Sequence, residues 1–467
     1  MAQKIIVSPV TRIEGHARIV LDLDEGGAVE RGHLQVWELR GFEKLLEQTE
    51  LFKMPQVTAR LCGVCPAAHH LASVIAIENG LGIQVPAEAK LLRELLYAGH
   101  ILHSHALSNF VLTGPDVMLG LNAHPMARNM FAFMQADPEL AKKFLRLRSI
   151  GQRTVEIVGG RGVHPVTAIP GGMAKRPAPE EQTLMAGWGA EAVGLMEEIG
   201  EVYRRQLALL AELRPMLHIP FHAMALSDGG TVSFLGGDCV AFDPAGKEVR
   251  RFQAQQYTEH LAEHSVDGSY MKSVTLKDAS EKKIYVGPLA RAAINHTIGS
   301  PKANEAWQAF RANWDLPSAV DYLHVRLIEM LHSAERIAAI AGKELSGGPI
   351  RVPAAPRAGH CIGLIEAPRG ILIHDYQADD NGRITAANFI VATQNNYDAI
   401  DHTITTLARH LLPKGNENLL LNGMEFSLRC YDPCLACATH AAGRMPMEIV
   451  LRSEGTEVRR ITRRSES

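Results

Sequence analysis

Two cysteine pairs of identical spacing stand near opposite ends of this 467-residue chain: Cys62-Gly63-Val64-Cys65 and Cys434-Leu435-Ala436-Cys437. Thiolates are soft ligands, and four of them suit zinc, an iron–sulfur cluster or nickel. Cys62 and Cys65 have two local aids to ionisation, Arg60 beside them and a helix that starts near Pro66. A structural zinc site of four cysteines is the plain alternative. Zinc ribbons and knuckles usually place their pairs within a few dozen residues, whereas here almost the whole chain separates Cys65 from Cys434. A dithiol redox pair fits less well, because neither motif sits in a βαβ pattern. Cys239, Cys361 and Cys430 match no metal position and read as buried free thiols.

A site using both pairs ties the chain's two ends together across a large core, and 46% hydrophobic content supplies one. The first forty residues read as strands, Lys4–Pro9, Ala17–Leu23 and His33–Trp37, with a turn at Glu25-Gly26-Gly27. Apolar residues at helical spacing then predict helices over Pro66–Asn79, Glu88–Leu112, Pro138–Ile157, Pro179–Leu213, Pro317–Leu345 and Tyr397–Leu412. Short strand patterns fall at Thr231–Leu235, Lys283–Val286, Gly370–His374 and Ile384–Val391. The expected class is mainly α with small β patches (α+β), a single large unit cored by a helical bundle.

A net charge of -3 with 21% charged residues gives no footprint for nucleic acid or an anionic membrane surface. Seven cysteines, an odd count, argue for reduced thiols rather than a disulfide framework. Gln3 and Lys4 lead straight into a strand pattern, and the apolar stretch Val85–Leu112 is interrupted by Glu88, Lys90, Arg93 and Glu94. A cytoplasmic protein without membrane insertion is expected. No Gly-x-Gly-x-x-Gly follows a strand, so the chain is not expected to bind a nicotinamide itself.

The cysteines have companions. Arg60-x-Cys62-x-x-Cys65-x-x-x-His69 and Asp432-Pro433-Cys434-x-x-Cys437-x-x-His440 resemble the paired signatures of nickel–iron hydrogenase large subunits. Three further boxes agree: Arg12-Ile13-Glu14-Gly15-His16, Arg40-Gly41-Phe42-Glu43, and Glu366-Ala367-Pro368-Arg369-Gly370 with His374 following. Gly159-Gly160 to His164-Pro165, then Pro170-Gly171-Gly172, is another family-like stretch. The matches run in the family's order from Arg12 to His440. The wording around both cysteine pairs looks closest to the cytoplasmic, bidirectional branch.

The resemblance implies a role for each residue. Cys62 and Cys434 would be terminal nickel ligands, and Cys65 and Cys437 would bridge nickel to an iron carrying CO and two cyanides. H2 is a very weak acid, so splitting it needs a Lewis-acidic metal and a base. Glu14 would relay the proton outward. Arg369 would hydrogen-bond a cyanide and polarise H2, oriented by Glu366, with Asp432 in the same canopy. His69 would donate to the Cys65 sulfur. Glu43, His440 and the carbonyl of Asn388 would hold magnesium. Two positions depart from the respiratory members: Ser108 stands in place of an acid, and Ala392, next to Thr393, in place of a hydroxyl residue that contacts a cyanide.

The same resemblance divides the chain into a catalytic unit over residues 1–440 and an extension over 441–467, cut off after His440 by a maturation endopeptidase once nickel is in place. It implies an iron–sulfur small subunit, docked in part through Gly159–Gly172, with further electron-transfer subunits beyond it. A quinone-site subunit of respiratory complex I shares the architecture but has generally lost the cysteines. That reading and a non-catalytic zinc-stapled scaffold are the alternatives.

Overall fold

Proline and short polar side chains set where the long helices begin. The computed structural model describes residues 3–39, 41–278, 281–439, 447–453 and 456–463. Helix α1 (Pro66–Leu81) opens on a proline whose missing N–H costs nothing at a first turn. Helix α2 spans Ala87–Leu107. Helix α3 (Pro138–Gly159) is capped by Asp137, whose carboxylate accepts from Leu140 N at 3.0 Å. Helices α4 (Pro179–Ala208), α5 (Pro288–Ile294), α6 (Asp321–Ala339) and α7 (Tyr397–Leu411) follow. In α8 (Glu417–Cys430) Asn416 caps Leu419 N at 3.0 Å.

Three expected helices stop short: α4, expected as far as Leu213, ends at Ala208, and two others change winding. Helix α2 loosens into a wider π turn at Ser108–Leu112, and α6 does the same at Ile340–Glu344. The apolar periodicity runs through both turns, so the sequence hides the change of winding.

Helix α2 lies between α3 and α6, and α4 packs on α6. The crossing of α2 and α3 is tight enough to require glycine. A Cβ at Gly151 would stand 2.6 Å from the carbonyl oxygen of Gly99. Leu92, Leu95, Leu96, Ile101 and Leu102 of α2 are all buried in this bundle.

At the N-terminus β1 (Gln3–Val7), β2 (Ala17–Leu23) and β3 (Val29–Val36) form an antiparallel meander, and α7 covers β3. The middle of the chain forms a seven-stranded sheet between His222 and Tyr285, larger than the small patches expected. The expected strand Thr231–Leu235 shrinks to Thr231–Val232 within it. A third sheet joins β4 (Gly359–Ala367), β5 (Gly370–Ala378) and β6 (Ile384–Ile390) in order. Ala367 pairs with Gly370, so Pro368 and Arg369 form the two-residue tip of the β4–β5 hairpin. Beyond the site, Met447–Ser453 and Thr456–Arg463 pair as a separate antiparallel hairpin. Among the described residues no helix is long and apolar enough to cross a membrane.

Candidate metal centre

The turn before α1 carries Cys62 and Cys65, and a one-turn helix after α8, Leu435–Ala438, carries Cys437 with Cys434 at its cap. The two turns face each other. Cys62 Sγ lies 3.2 Å from Cys434 Sγ, Cys65 Sγ lies 3.3 Å from Cys437 Sγ, and Cys434 Sγ lies 2.9 Å from Cys437 Sγ. All four sulfurs fall within 4.8 Å of one another and all four residues are buried. No other group of three or more His, Cys, Asp or Glu among the described residues converges in this way. Hydrogen bonds from Cys434 and the other thiols push the Cys65 thiol well down, while burial pushes Cys434 and Cys437 up. The donor set is that of a soft divalent metal.

Glu14 approaches from the Arg12–His16 box. Its backbone bridges to Cys434, and Leu435 N donates to its carbonyl at 3.2 Å. Its Oε2 accepts from Cys434 Sγ at 3.2 Å and from Ala436 N at 2.9 Å. The residue is half-buried, so the carboxylate touches the sulfur at a point where the chain still meets solvent.

Arg369, at the hairpin tip, is buried. Its Nε donates to the Asp432 carbonyl at 2.6 Å and its Nη2 to Asp432 Oδ1 at 3.0 Å. Burial opposes the cation, but Asp432 and the neighbouring cysteines outweigh it and hold Arg369 firmly protonated. Arg369 Nη1 and Asp432 Oδ2 are buried with no protein partner, which suits a further group filling the space beside them. Asp432 sits at φ +53°, a left-handed backbone that aspartate tolerates better than most residues.

Glu366 does not orient Arg369. The hairpin pairing turns it away, and its Oε1 accepts from Leu226 N at 2.9 Å while its Oε2 meets Arg291. Asp432 does the orienting instead. His69 faces both bridging candidates: its Nε2 lies 3.2 Å from Cys437 Sγ, and it also hydrogen-bonds the Cys65 thiol, helping to push that thiol down. On its far side Nδ1 lies 3.0 Å from His374 Nε2, which fixes the ring.

In sequence Thr393 stands out only as the neighbour of Ala392. In the structure its Oγ1 accepts from Cys434 N at 2.9 Å, so it is the hydroxyl that reaches the site. Ser108 is fully buried in the π turn with its Oγ unpartnered. Asp116, which no motif marks, is buried among Arg12, Arg128 and Arg429, which hold its carboxyl below the usual range despite burial. That cluster braces the box carrying Glu14. Cys239, Cys361 and Cys430 are buried and free, as expected, and burial pushes the Cys430 thiol up.

For the expected magnesium site, Glu43 is buried on the one-turn helix Phe42–Leu45, which packs against β6. Asn388 on β6 donates from Nδ2 to Glu263 at 2.9 Å, and Gln394 donates to the same carboxylate at 3.2 Å. Glu263 is thus an acid beside this region that no sequence motif marks. His440 lies outside the described residues, as does the first part of the extension. Cys437 Sγ lies 2.9 Å from Cys434 Sγ in the chain that carries the hairpin at 447–463.

A family model for nickel-dependent hydrogenase matches residues 40–144, and one described as HoxL-like matches residues 4–39. The chain is 34% identical over 418 residues to an F420-non-reducing hydrogenase vhu subunit of Methanocaldococcus jannaschii, covering 87% of this chain and 99% of that one. It is 32% identical over 474 residues to the beta subunit of the NAD-reducing hydrogenase HoxS of Cupriavidus necator, covering 96% and 97%. The chain belongs to the nickel–iron hydrogenase large subunits. The fold agrees: it matches the crystal structure of an NAD+-reducing NiFe-hydrogenase in the H2-reduced state with a TM-score of 0.89 at 32% identity, over 94% of this chain and 99% of that one. As a member of this family the chain is an oxidoreductase acting on H2. That membership sets aside both the zinc-scaffold and the complex I alternatives.

Proposed function

We propose that this chain oxidises H2 reversibly at a nickel–iron centre, with Cys62 and Cys434 as terminal nickel ligands and Cys65 and Cys437 as bridges to iron. The observation that carries the reading is the pairing of the thiols, one from each motif, with a carboxylate on Cys434 and a buried arginine held by Asp432 two residues away. When bound, the centre, with CO and two cyanides on its iron, supplies the Lewis acidity and redox capacity for heterolysis. The protein's own residues do the rest. A proton on Cys434 Sγ passes to Glu14 Oε2 along the 3.2 Å hydrogen bond and leaves by Glu14's exposed side. Arg369 keeps Nη1 for a cyanide or for polarising H2, and Asp432 fixes the plane of its guanidinium. His69 donates to the Cys65 sulfur and also lies within reach of Cys437. Glu43, the Asn388 carbonyl and His440 would hold magnesium.

Electrons leave to a small iron–sulfur partner, then to further electron-transfer proteins of the same complex. In support, Cys239, Cys361 and Cys430 are buried and take no part in a second thiol cluster among the described residues. An endopeptidase removes the segment after His440 once nickel is bound. The test is metal analysis joined to infrared spectroscopy of the purified complex. Nickel and iron in about equal amounts, with CO and cyanide bands and a chain ending at His440, are expected. Zinc alone, with no such bands, would refute the reading.

A further inference from the structure

Arg291, on the short helix α5, is wholly buried and outside the sequence motifs. Its guanidinium has five N–H donors, and each has an acceptor. Nε and Nη2 each meet one oxygen of Glu329 at 2.7 Å. Nη1 meets Glu366 Oε2 at 2.5 Å. The two remaining donors go to backbone: Nη1 to Ala367 O and Nη2 to Pro368 O, each at 3.2 Å. A buried ion pair needs no contact with carbonyls to balance its charge. These two belong to the residues directly before Arg369.

The rest of the tip is held in the same way. Glu366 N donates to Phe234 O at 2.9 Å, and Tyr97 OH donates to Glu366 O at 2.6 Å. Past the tip, Gly287 sits at φ +96°, and a Cβ there would stand 2.5 Å from Arg369 O. Arg291 follows from that glycine within α5, so one short element grips the tip on two sides. Glu329 is itself anchored by His105 Nε2 at 2.7 Å, which connects the grip to α2.

We infer that Arg291 positions the backbone that carries Arg369, while Asp432 holds the guanidinium itself. The planar fork of Arg291 fixes the Ala367–Pro368 backbone, and through it the direction from which Arg369 reaches Asp432. A lysine cannot replace it, because an ammonium has three donors and no plane with which to span a carboxylate and two carbonyls together. The inference rests on the role given to Arg369 above.

The test is a cycle of Arg291→Lys, Arg369→Lys and the double variant in the intact complex. Arg291→Lys is expected to lose about 30- to 100-fold in kcat, as a misplacement near 1 Å does, with KM for H2 and nickel content unchanged. Its cyanide infrared bands should shift in the direction of those of Arg369→Lys. Amide exchange in peptides covering residues 364–371 should quicken at least tenfold. The double variant should be no more than about threefold worse than Arg369→Lys, since two groups acting through one fail together. Multiplied losses in the double variant, or unchanged amide exchange, would overturn the inference. An Arg369→Lys enzyme of parental activity would instead overturn the role given to Arg369. If Arg291→Lys does not fold, Glu329→Gln decides. It spares both carbonyl contacts, so a loss below about tenfold is expected, and a loss of 100-fold or more would show that charge balance alone matters.

Discussion

Replacing Glu14 by glutamine isolates its proton-carrying role. The amide oxygen can still accept from Ala436 N, now bonded at 2.9 Å, so the turn carrying Cys434 and Cys437 keeps its shape. What is lost is a group able to take a proton from Cys434 Sγ at 3.2 Å. A positioned acid–base group contributes about 100- to 10,000-fold in rate, or about 2.7–5.4 kcal/mol of barrier. Glu14→Gln should therefore cut H2 oxidation and D2–water exchange by at least about 100-fold. The half-buried site should leave unfolding stability within about 0.5 kcal/mol of the parent. Glu14→Asp should also be impaired, because losing one carbon–carbon step of about 1.5 Å carries the carboxylate out of hydrogen-bond reach of the sulfur. The assay is isotope exchange measured beside dye-coupled oxidation, on protein checked for nickel, iron and infrared bands. Parental exchange in Glu14→Gln, with metals intact, would refute the relay.

Thr393→Val removes the acceptor of the buried Cys434 N at nearly constant shape. A cost of about 1–3 kcal/mol is expected in denaturant unfolding, and a cost under about 0.5 would show that water replaces the hydroxyl. Gly151→Ala sets two effects against each other. Helix propensity favours alanine by about 1 kcal/mol, but the 2.6 Å approach to Gly99 O forces α2 and α3 apart, so a net loss of about 1–3 kcal/mol is expected and any rise in Tm would be contrary. Asp401 is buried against Leu34 N and Arg31, and burial raises its carboxyl to about 7. A carboxyl raised by folding contributes stability that is complete below the unfolded value near 4 and lost as pH rises through about 7. Asp401→Asn should thus gain stability on the order of 2 kcal/mol over the parent at pH 8 and little at pH 4, and equal pH slopes in urea unfolding would contradict this.

The sequence makes one half of this site readable and hides the other. Cys62, Cys65, Cys434, Cys437, Glu14 and Arg369 lie in short ordered boxes whose spacing survives without knowledge of the fold. Asp432 is readable for the same reason, being two residues before Cys434. The supporting groups are not. Arg291 sits on a seven-residue helix and meets Glu366 across 75 positions, and nothing local marks it. Closeness in sequence points Glu366 at Arg369, yet a two-residue hairpin tip sends their side chains to different partners. Thr393 reaches Cys434 across 41 positions, a distance no periodicity reports. The long helices are legible through their prolines and apolar spacing, while the π turns ending α2 and α6 keep the same apolar pattern. The middle sheet escapes because several of its strands are only two to five residues long.

Each bond between the two thiol pairs spans 372 positions of chain. The full set of four therefore exists only when the turn before α1 and the turn after α8 have docked on each other. A product terminated before Cys434, or one whose second turn fails to dock, offers only Cys62 and Cys65 of the four. The four-thiol set therefore reports on the folding of both ends of the molecule at once.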